Sequence, residues 1–189
     1  MKNFDKKSFF IGFFSGIGAT LLGLFLLVYI LTVKAYKELE KNLKPPALPE
    51  KIPSLDKINF EWKIRNINGE EIKFEKFKGK PIFLNFWATW CRPCLIELPT
   101  IKNLMDSLHN NVNFVLVTNE DKKYVEILFK RKGYSLPVYF AKEEPQCFSH
   151  SAIPSTFIID KSGNIVFKHT GAARWDDITV IRFLRKLSE

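Results

Sequence analysis

The chain has 189 residues, of which 46% are hydrophobic and 26% are charged, and its formal net charge is +9. This is the composition of an ordinary globular protein, and the length favours one folded domain over several. Residues 1–57 carry a net charge of +4 and residues 58–189 carry +5, so about half of the excess lies in the N-terminal part. No long basic run with interleaved aromatic residues is present to follow a phosphate backbone, which excludes a nucleic-acid partner.

An uncharged segment lies near the N-terminus. Residues 8–33 are 26 consecutive positions without Asp, Glu, Lys or Arg. A helix needs about 20 apolar residues to cross a bilayer, whereas a cleaved signal peptide has an apolar core of about 7 to 15 residues followed by a small-residue cleavage site. No such site follows between Leu27 and Glu38. We predict a transmembrane anchor at 8–33 behind a cytoplasmic tail at 1–7, with a cleaved signal peptide as the alternative.

Residues 34–57 are predicted to connect the anchor to the folded domain. They read as a short polar helix that ends at Lys44, followed by an extended tether stiffened by four prolines. Lysines flank the anchor on both sides, so the positive-inside rule does not settle its orientation. The same lysines are attracted to the anionic head groups of the lipid bilayer.

Residues 58–189 alternate strand and helix patterns. Asn68-Gly69 predicts a type I′ turn between two strands, the apolar run at 81–86 predicts a strand buried on both faces, and Pro99 is predicted to kink the helix that contains it. Together the patterns predict an α/β fold with a central mixed sheet flanked by helices. The predicted elements are strands at 60–67, 71–74, 81–86, 113–118, 137–140, 155–160 and 165–169, and helices at 95–108, 122–132 and after Asp176 or Asp177.

Two cysteines with two residues between them follow the buried strand and open a helix. At a helix N-terminus, free backbone N–H groups and the helix dipole stabilise a thiolate, which is the form that attacks disulfides. Arg92 adds a positive charge, and Pro93 costs no helical hydrogen bond in the first turn. Cys91 is therefore the predicted nucleophile, and the more buried Cys94 is the predicted resolving thiol that releases the partner.

A structural metal site is the main alternative for this pair. Cys147 and His150 form a CxxH pair, which together with the CxxC would make a Cys3His set of zinc ligands. The gap between the two pairs is 52 residues and contains whole secondary elements, while zinc sites of this kind usually close over shorter spans. We therefore predict no metal. A disulfide without chemistry is a further alternative.

Residues 77–99, FKGKPIFLNFWATWCRPCLIELP, resemble the active-site segment of membrane-anchored thioredoxin-like proteins of the TlpA/ResA type. The resemblance extends over most of residues 58–189 and implies a thioredoxin-like fold with an N-terminal β-hairpin. It implies that Pro154 is a cis-proline whose loop lies against the cysteines. The backbone of Ile153 would then bind an extended partner chain, and Trp90 would lie beside the same substrate.

The resemblance also assigns an acid. Glu97, three residues after Cys94, matches a family carboxylate that faces the active site, modulates the thiol pKa values and relays protons. Asn85 stands where general thioredoxins have a buried Asp, and an amide does not titrate, which favours Glu97 as the acid-base partner. Trp87 and Trp90 are expected to shield the cysteines, with core packing as the alternative, and Cys147 is given no role.

These observations predict a single-pass protein of the cytoplasmic membrane whose catalytic domain lies on the extracytoplasmic, periplasmic side and exchanges disulfides without a bound cofactor. The resemblance implies a protein-disulfide reductase acting on an extracytoplasmic protein such as apocytochrome c, with a membrane thiol transporter as the electron donor. A peroxiredoxin-like thiol peroxidase is one alternative, but its resolving cysteine is normally distant. A membrane-tethered zinc-binding or scaffolding module is the other.

Overall fold

The computed structural model describes residues 6–189, apart from the side chains of residues 6–17 and 40. It divides into two compact units, one ending at Asn42 and the other spanning Leu43–Glu189. Residues 1–5 of the predicted cytoplasmic tail lie outside the described residues.

The first unit contains one long helix, α1, Lys6–Lys41. Its stretch Gly18–Leu39 overlaps the predicted anchor and is long and apolar enough to cross a membrane. The large apolar side chains between positions 21 and 33 are each at least 38% exposed, so this helix presents apolar surface. The polar helix predicted after the anchor is the continuation of α1, because residues 34–41 contain no Gly or Pro to interrupt it. It ends at Lys41 and not at Lys44.

The second unit is built on one mixed sheet of eight strands in the order β1-β8-β7-β4-β5-β6-β2-β3. Strand β4 pairs in parallel with β5, and β5 pairs in parallel with β6, while the remaining pairs are antiparallel. The strands are β1 Asp56–Lys57, β2 Lys63–Asn66, β3 Glu71–Lys73, β4 Ile82–Phe86, β5 Asn113–Thr118, β6 Val138–Phe140, β7 Ser155–Ile159 and β8 Asn164–Thr170. The helices are α2 Arg92–Leu108, α3 Lys122–Lys132 and α4 Ile178–Ser188.

Alternate residues of the central strands enter two different cores. In β4, Phe83 packs into a core with the buried faces of all three helices of this unit. Its neighbours Ile82 and Leu84 point to the other face, into a core rich in aromatic rings that includes Phe74 and Phe148. Every residue of β4 is buried, as predicted for a strand covered on both faces.

The folded unit begins earlier than the boundary predicted at residue 58. The side chain of Pro46 is buried, and Leu48 packs against the core that the helices share. Strand β1 then pairs with β8, and the Leu55 N–H donates to the Ile165 carbonyl over 2.9 Å. Most of the predicted tether therefore lies on the domain, because it buries apolar side chains and supplies partners to an edge strand.

The first hairpin forms as predicted, but its turn is of another type. Strands β2 and β3 pair in antiparallel register around Asn68-Gly69. Gly69 has a positive φ of 86° and Asn68 does not, whereas a type I′ turn needs both. The side chain of Asn66 accepts the N–H groups of Asn68 and Glu70, each at 3.0 Å, and this side-chain capping favours the three-residue turn that is observed.

The helix ends agree closely with the sequence signals. Helix α3 has Asp121 as its N-cap and ends at Gly133, whose φ is 67°. Helix α4 is capped by Asp177, which accepts the N–H of Thr179 at 2.9 Å. Helix α2 starts three residues before the predicted position and continues through Pro99.

Candidate active site

The cysteine pair lies where β4 ends and α2 begins. Cys91 is the N-cap of α2, with an extended backbone, and its Sγ accepts the N–H of Cys94 at 3.2 Å. This places the sulfur at the positive end of the helix, among the N–H groups that have no helical partner. The geometry is the one that favours a thiolate at Cys91 in the reduced protein.

Cys91 and Cys94 are joined by a disulfide bond. Cys91 is 4% exposed and Cys94 is fully buried, so Cys91 is the more accessible of the two but is largely covered in this oxidised form. The neighbouring Trp90 is 70% exposed and is the prominent apolar surface beside the pair.

The Ile153–Pro154 peptide bond is cis, as the resemblance implies, and its loop contacts the disulfide. The carbonyl oxygen of Ile153 lies 3.7 Å from the Sγ of Cys91. Pro154 is buried, while Ile153 is partly exposed. The fold thus brings Ile153 to the sulfur of Cys91, 62 positions earlier in the chain.

Glu97 is fully buried on the same helix, three positions after the fully buried Cys94. Its Oε2 accepts the Trp175 indole Nε1–H at 2.9 Å and the Ala173 N–H at 3.1 Å. Burial raises the pKa of Glu97 to about 7, and these donors, together with the Asn85 amide, act in the opposite direction. A carboxyl group with this pKa both takes up and releases protons near neutral pH.

Asn85 on β4 is part of the same network. Its Nδ2 donates to Glu97 Oε1 and to the Thr156 hydroxyl of β7, both at 2.9 Å. The amide does not titrate, but it holds the carboxylate that does. Sequence reasoning identified Asn85 as a departure from the thioredoxin pattern and missed this supporting contact.

The loop before Cys91 is fixed by an acidic residue that the sequence did not single out. The Glu120 carboxylate accepts the Thr89 hydroxyl at 2.7 Å and the Thr89 N–H at 2.5 Å. Glu120 follows β5, whose Val117 carbonyl also accepts the Trp87 N–H at 3.0 Å. Adjacent parallel strands thus bring both loops to one edge of the sheet.

A cavity of about 480 Å³ reaches the neighbourhood of the disulfide through Trp90, which precedes Cys91, and Ile153, although neither cysteine lines it. Trp90 and Ile153 line one side of it, and the aromatic rings of Trp62 and Phe86 line another. The indole of Trp62 is fixed there by a 3.0 Å hydrogen bond from its Nε1 to the Glu143 carbonyl. A cavity with aromatic and charged walls near the cysteine pair is suited to a side chain of a polypeptide partner.

The remaining candidates are Trp87, Cys147 and the alternative zinc ligands. Trp87 is 2% exposed and stacks on Phe129 at 5.9 Å, and it belongs to the same buried core as Cys91 and Cys94. Cys147 is a free, half-buried thiol. Among the side chains that the structure describes, no three of His, Cys, Asp or Glu group closely enough to hold a metal ion, so the alternative zinc ligands do not come together.

Comparisons with known proteins agree with this geometry. Residues 51–182 match the family model described as Redoxin. The thiol-disulfide oxidoreductase ResA of Geobacillus kaustophilus is 30% identical over 122 residues, which cover 62% of this chain and 70% of that protein.

Two solved structures have the same fold. One is a thiol:disulfide interchange protein of the thioredoxin family from Chlorobium tepidum, with a TM-score of 0.55 and 26% identity over 74% of this chain and 98% of that one. The other is StoA of Bacillus subtilis, with a TM-score of 0.54 and 25% identity over 68% of this chain and 96% of that one. The mixed sheet is thus the predicted thioredoxin-like fold, and its local CxxC disulfide differs from the distant pairing of the peroxidase alternative. The chain belongs to the Redoxin family and is a thiol-disulfide oxidoreductase of the TlpA/ResA type.

Proposed function

We propose that this oxidoreductase is anchored in the cytoplasmic membrane by α1 and reduces disulfides of a client protein on the extracytoplasmic side. The observation that carries the reducing direction is the fully buried Glu97 carboxylate, one helical turn from the buried Cys94. A carboxylate near a thiol disfavours its thiolate, and at the buried Cys94 this opposes the thiolate stabilisation that Cys91 receives at the helix start, which makes the pair more reducing than an oxidase-type pair.

The first step uses Cys91. In the reduced protein its thiolate attacks one sulfur of the client disulfide, a Cys91–client S–S bond forms, the client S–S bond breaks, and one client thiolate leaves. The Cys94 N–H, 3.2 Å from Cys91 Sγ in the oxidised form, supports the negative charge of the attacking sulfur.

The second step uses Cys94 and Glu97. The ionised Glu97 takes the proton of the Cys94 thiol, the Cys94 thiolate attacks Cys91 Sγ, and the second client thiolate leaves. The proton on Glu97 and protons from water neutralise the client thiolates. The client disulfide has then gained two electrons, and the Cys91–Cys94 disulfide has formed. A dithiol donor, which we take to be a membrane thiol transporter, must return the two electrons.

The client binds along Trp90, Ile153 and Pro154. The backbone of Ile153 pairs with an extended client segment in the manner of an added strand, which brings the client sulfur to Cys91. A neighbouring client side chain enters the aromatic cavity beside Trp90. Apocytochrome c, whose thiols must be reduced before haem attachment, is the client implied by the family resemblance.

Trapping of the mixed disulfide tests the exchange chemistry. The Cys94→Ser variant of the full chain should accumulate a covalent adduct with a disulfide-containing polypeptide, and the matched Cys91→Ser variant should accumulate little. Both are made in a Cys147→Ser background, so that the free thiol contributes no adduct. Equal trapping by the two variants, or none by either, would contradict the assigned roles.

The proposed side of the membrane is tested separately. After reduction of intact cells, a membrane-impermeant thiol reagent should label Cys91 in the Cys147→Ser background. Labelling that requires lysis would place the domain in the cytoplasm.

Unchanged levels of c-type cytochromes in a deletion strain would direct the search to another client.

A further inference from the structure

The loop between β8 and α4 donates two hydrogen bonds to the buried carboxylate of Glu97. Within residues 171–175, the N–H of Ala173 and the indole Nε1–H of Trp175 both donate to Oε2 of Glu97. Ala173 and Trp175 are 2% and 0% exposed. Neither donor is on α2, so a movement of this loop relative to α2 would change both hydrogen bonds to the Glu97 carboxylate.

The residue between these two donors is bound to the N-terminal part of the same unit. The Arg174 N–H donates to the Lys44 carbonyl over 2.8 Å. We call residues 43–48 the strap. Its buried Pro46 and its half-buried Leu48, which packs against the core that contains Ala173 and Trp175, fix it to the domain.

We propose that the strap is a positioning element for Glu97: by binding Arg174 it holds the Ala173 and Trp175 N–H donors on the carboxylate. This inference rests on the proposed function of Glu97 as the proton acceptor of Cys94. It adds that residues 43–48, close behind α1 in the chain, contribute to the active site.

Two successive N–H groups of this loop donate to different parts of the domain. The N–H of Ala173 is directed to the interior, and that of the next residue, Arg174, is directed to the strap. A loop fixed on one side retains more freedom than a loop fixed on both, and a hydrogen bond to a charged acceptor weakens as its donor moves away. Release of the strap should therefore weaken the two bonds that stabilise ionised Glu97.

Substitutions within the strap test this inference on the full chain. Pro46→Ser with Leu48→Ser removes the two apolar contacts, whereas Pro45→Ser with Ala47→Ser changes two exposed neighbours and serves as the matched control. The protein is labelled with ¹⁵N-tryptophan in detergent micelles and kept oxidised, so that Cys91 and Cys94 do not titrate. It contains four tryptophans, and Trp175→Phe identifies the Trp175 indole signal.

The Trp175 signal reports on Glu97 directly, because its N–H donates to that carboxylate. Among the described residues, the imidazole of His169 on β8 also contacts this indole, with ring centroids 5.7 Å apart. A Glu97→Gln variant shows which part of the titration belongs to His169. The wild-type inflection due to Glu97 is expected near pH 7. In the Pro46→Ser, Leu48→Ser variant it should move upward by about one pH unit, because donors to the charged form are weakened.

An unchanged or lowered midpoint in that variant would overturn the inference, and so would an equal upward shift in the Pro45→Ser, Ala47→Ser control. If the double variant does not fold, Leu48→Ala is titrated in its place, with a smaller upward shift expected and an unchanged midpoint again decisive. Client reduction is assayed in parallel. Failure of the wild type to reduce any client disulfide counts against the proposed function and leaves the titration result valid.

Discussion

The indole of Trp175 donates a 2.9 Å hydrogen bond to the carboxylate of Glu97, which lies 78 positions earlier in the chain. Both side chains are fully buried. The bond joins the loop after β8 to helix α2. Burial favours the neutral form of the Glu97 carboxyl group, and the hydrogen bond from Trp175 stabilises its ionised form.

Trp175→Phe should raise the pKa of Glu97 above about 7, by about one unit, because a donor to the ionised form is lost. The pH dependence of Cys94 attack on the mixed disulfide, followed by stopped-flow fluorescence, should move upward with it. Trp87→Phe is the matched control, since Trp87 is also buried but its Nε1 has no hydrogen-bond partner within the described residues. An upward shift of the same size in the control would assign the effect to lost packing.

Asn85→Asp should shift the same profile upward. The substitution removes the donor at 2.9 Å from Glu97 Oε1 and places a second carboxyl group there, so the two acids would share one proton. We expect the pH at which the resolving step reaches half its maximal rate to rise by at least about one unit. Thr156→Val, which removes the other acceptor of the Asn85 amide without adding charge, should leave this pH nearly unchanged. A profile of Asn85→Asp that overlays the wild type would show that the amide does not support the carboxylate.

The free energy of unfolding of the oxidised protein should fall as the pH rises from 4.5 to about 7, the interval between the unfolded and folded pKa values of Glu97. The folded protein retains this proton up to about pH 7, while the unfolded chain releases it near 4.5. Between these values the folded state binds more protons, so its stability decreases with rising pH, by on the order of 3 kcal/mol in total.

Thermal unfolding of the full chain between pH 5 and pH 8 measures this effect, with an expected decrease of about 5 to 10 °C in the midpoint. In Glu97→Gln the decrease over this range should be largely absent, because the neutral amide keeps acceptor contacts with Trp175 and Ala173 and does not ionise. A midpoint that falls equally in both proteins would locate the titrating group elsewhere.

Trp90→Ala should weaken client binding without unfolding the domain. Trp90 is 70% exposed and lines the cavity next to the disulfide, so its removal costs little packing. We expect KM for a disulfide-containing polypeptide to rise by about tenfold, the range for an aromatic contact residue, and the rate with a small aromatic disulfide to change little. Tyr124→Ala, a half-exposed aromatic residue on α3, is the control and should alter neither value. Equal losses with both substrates would indicate an effect on Cys91 itself.

Local signals in the sequence were sufficient for most of the elements. Helix α3 spans the predicted residues 122–132, because a helix cap and a left-handed glycine act within one turn of the chain. The apolar run ending at Phe86 and the CxxC after it placed the cysteines at a strand-to-helix junction. The cis bond before Pro154 and the choice of Glu97 as the acid followed from family resemblance and not from periodicity.

Features that depend on distant contacts were not predicted. Nothing near Trp175 indicates that its indole meets Glu97, and Glu120 gives no local sign that it fixes Thr89. The turn at Asn68-Gly69 differed because the side chain of Asn66, outside the dipeptide, captures two backbone N–H groups. The prolines between positions 45 and 53 predicted an extended tether. Part of this segment instead lies on the domain, because its apolar side chains are buried against the core.

Strand β1 has a practical consequence for anyone who makes the catalytic domain without its apolar helix. Asp56 and Lys57 occupy the outer side of β8 at Ile165 and Asn164. A soluble fragment started at residue 58 would leave those backbone groups of β8 open to strands of other molecules, which favours self-association and precipitation. A fragment started at Leu43 keeps these two positions of β8 paired, and it should remain monodisperse at concentrations at which the shorter one aggregates.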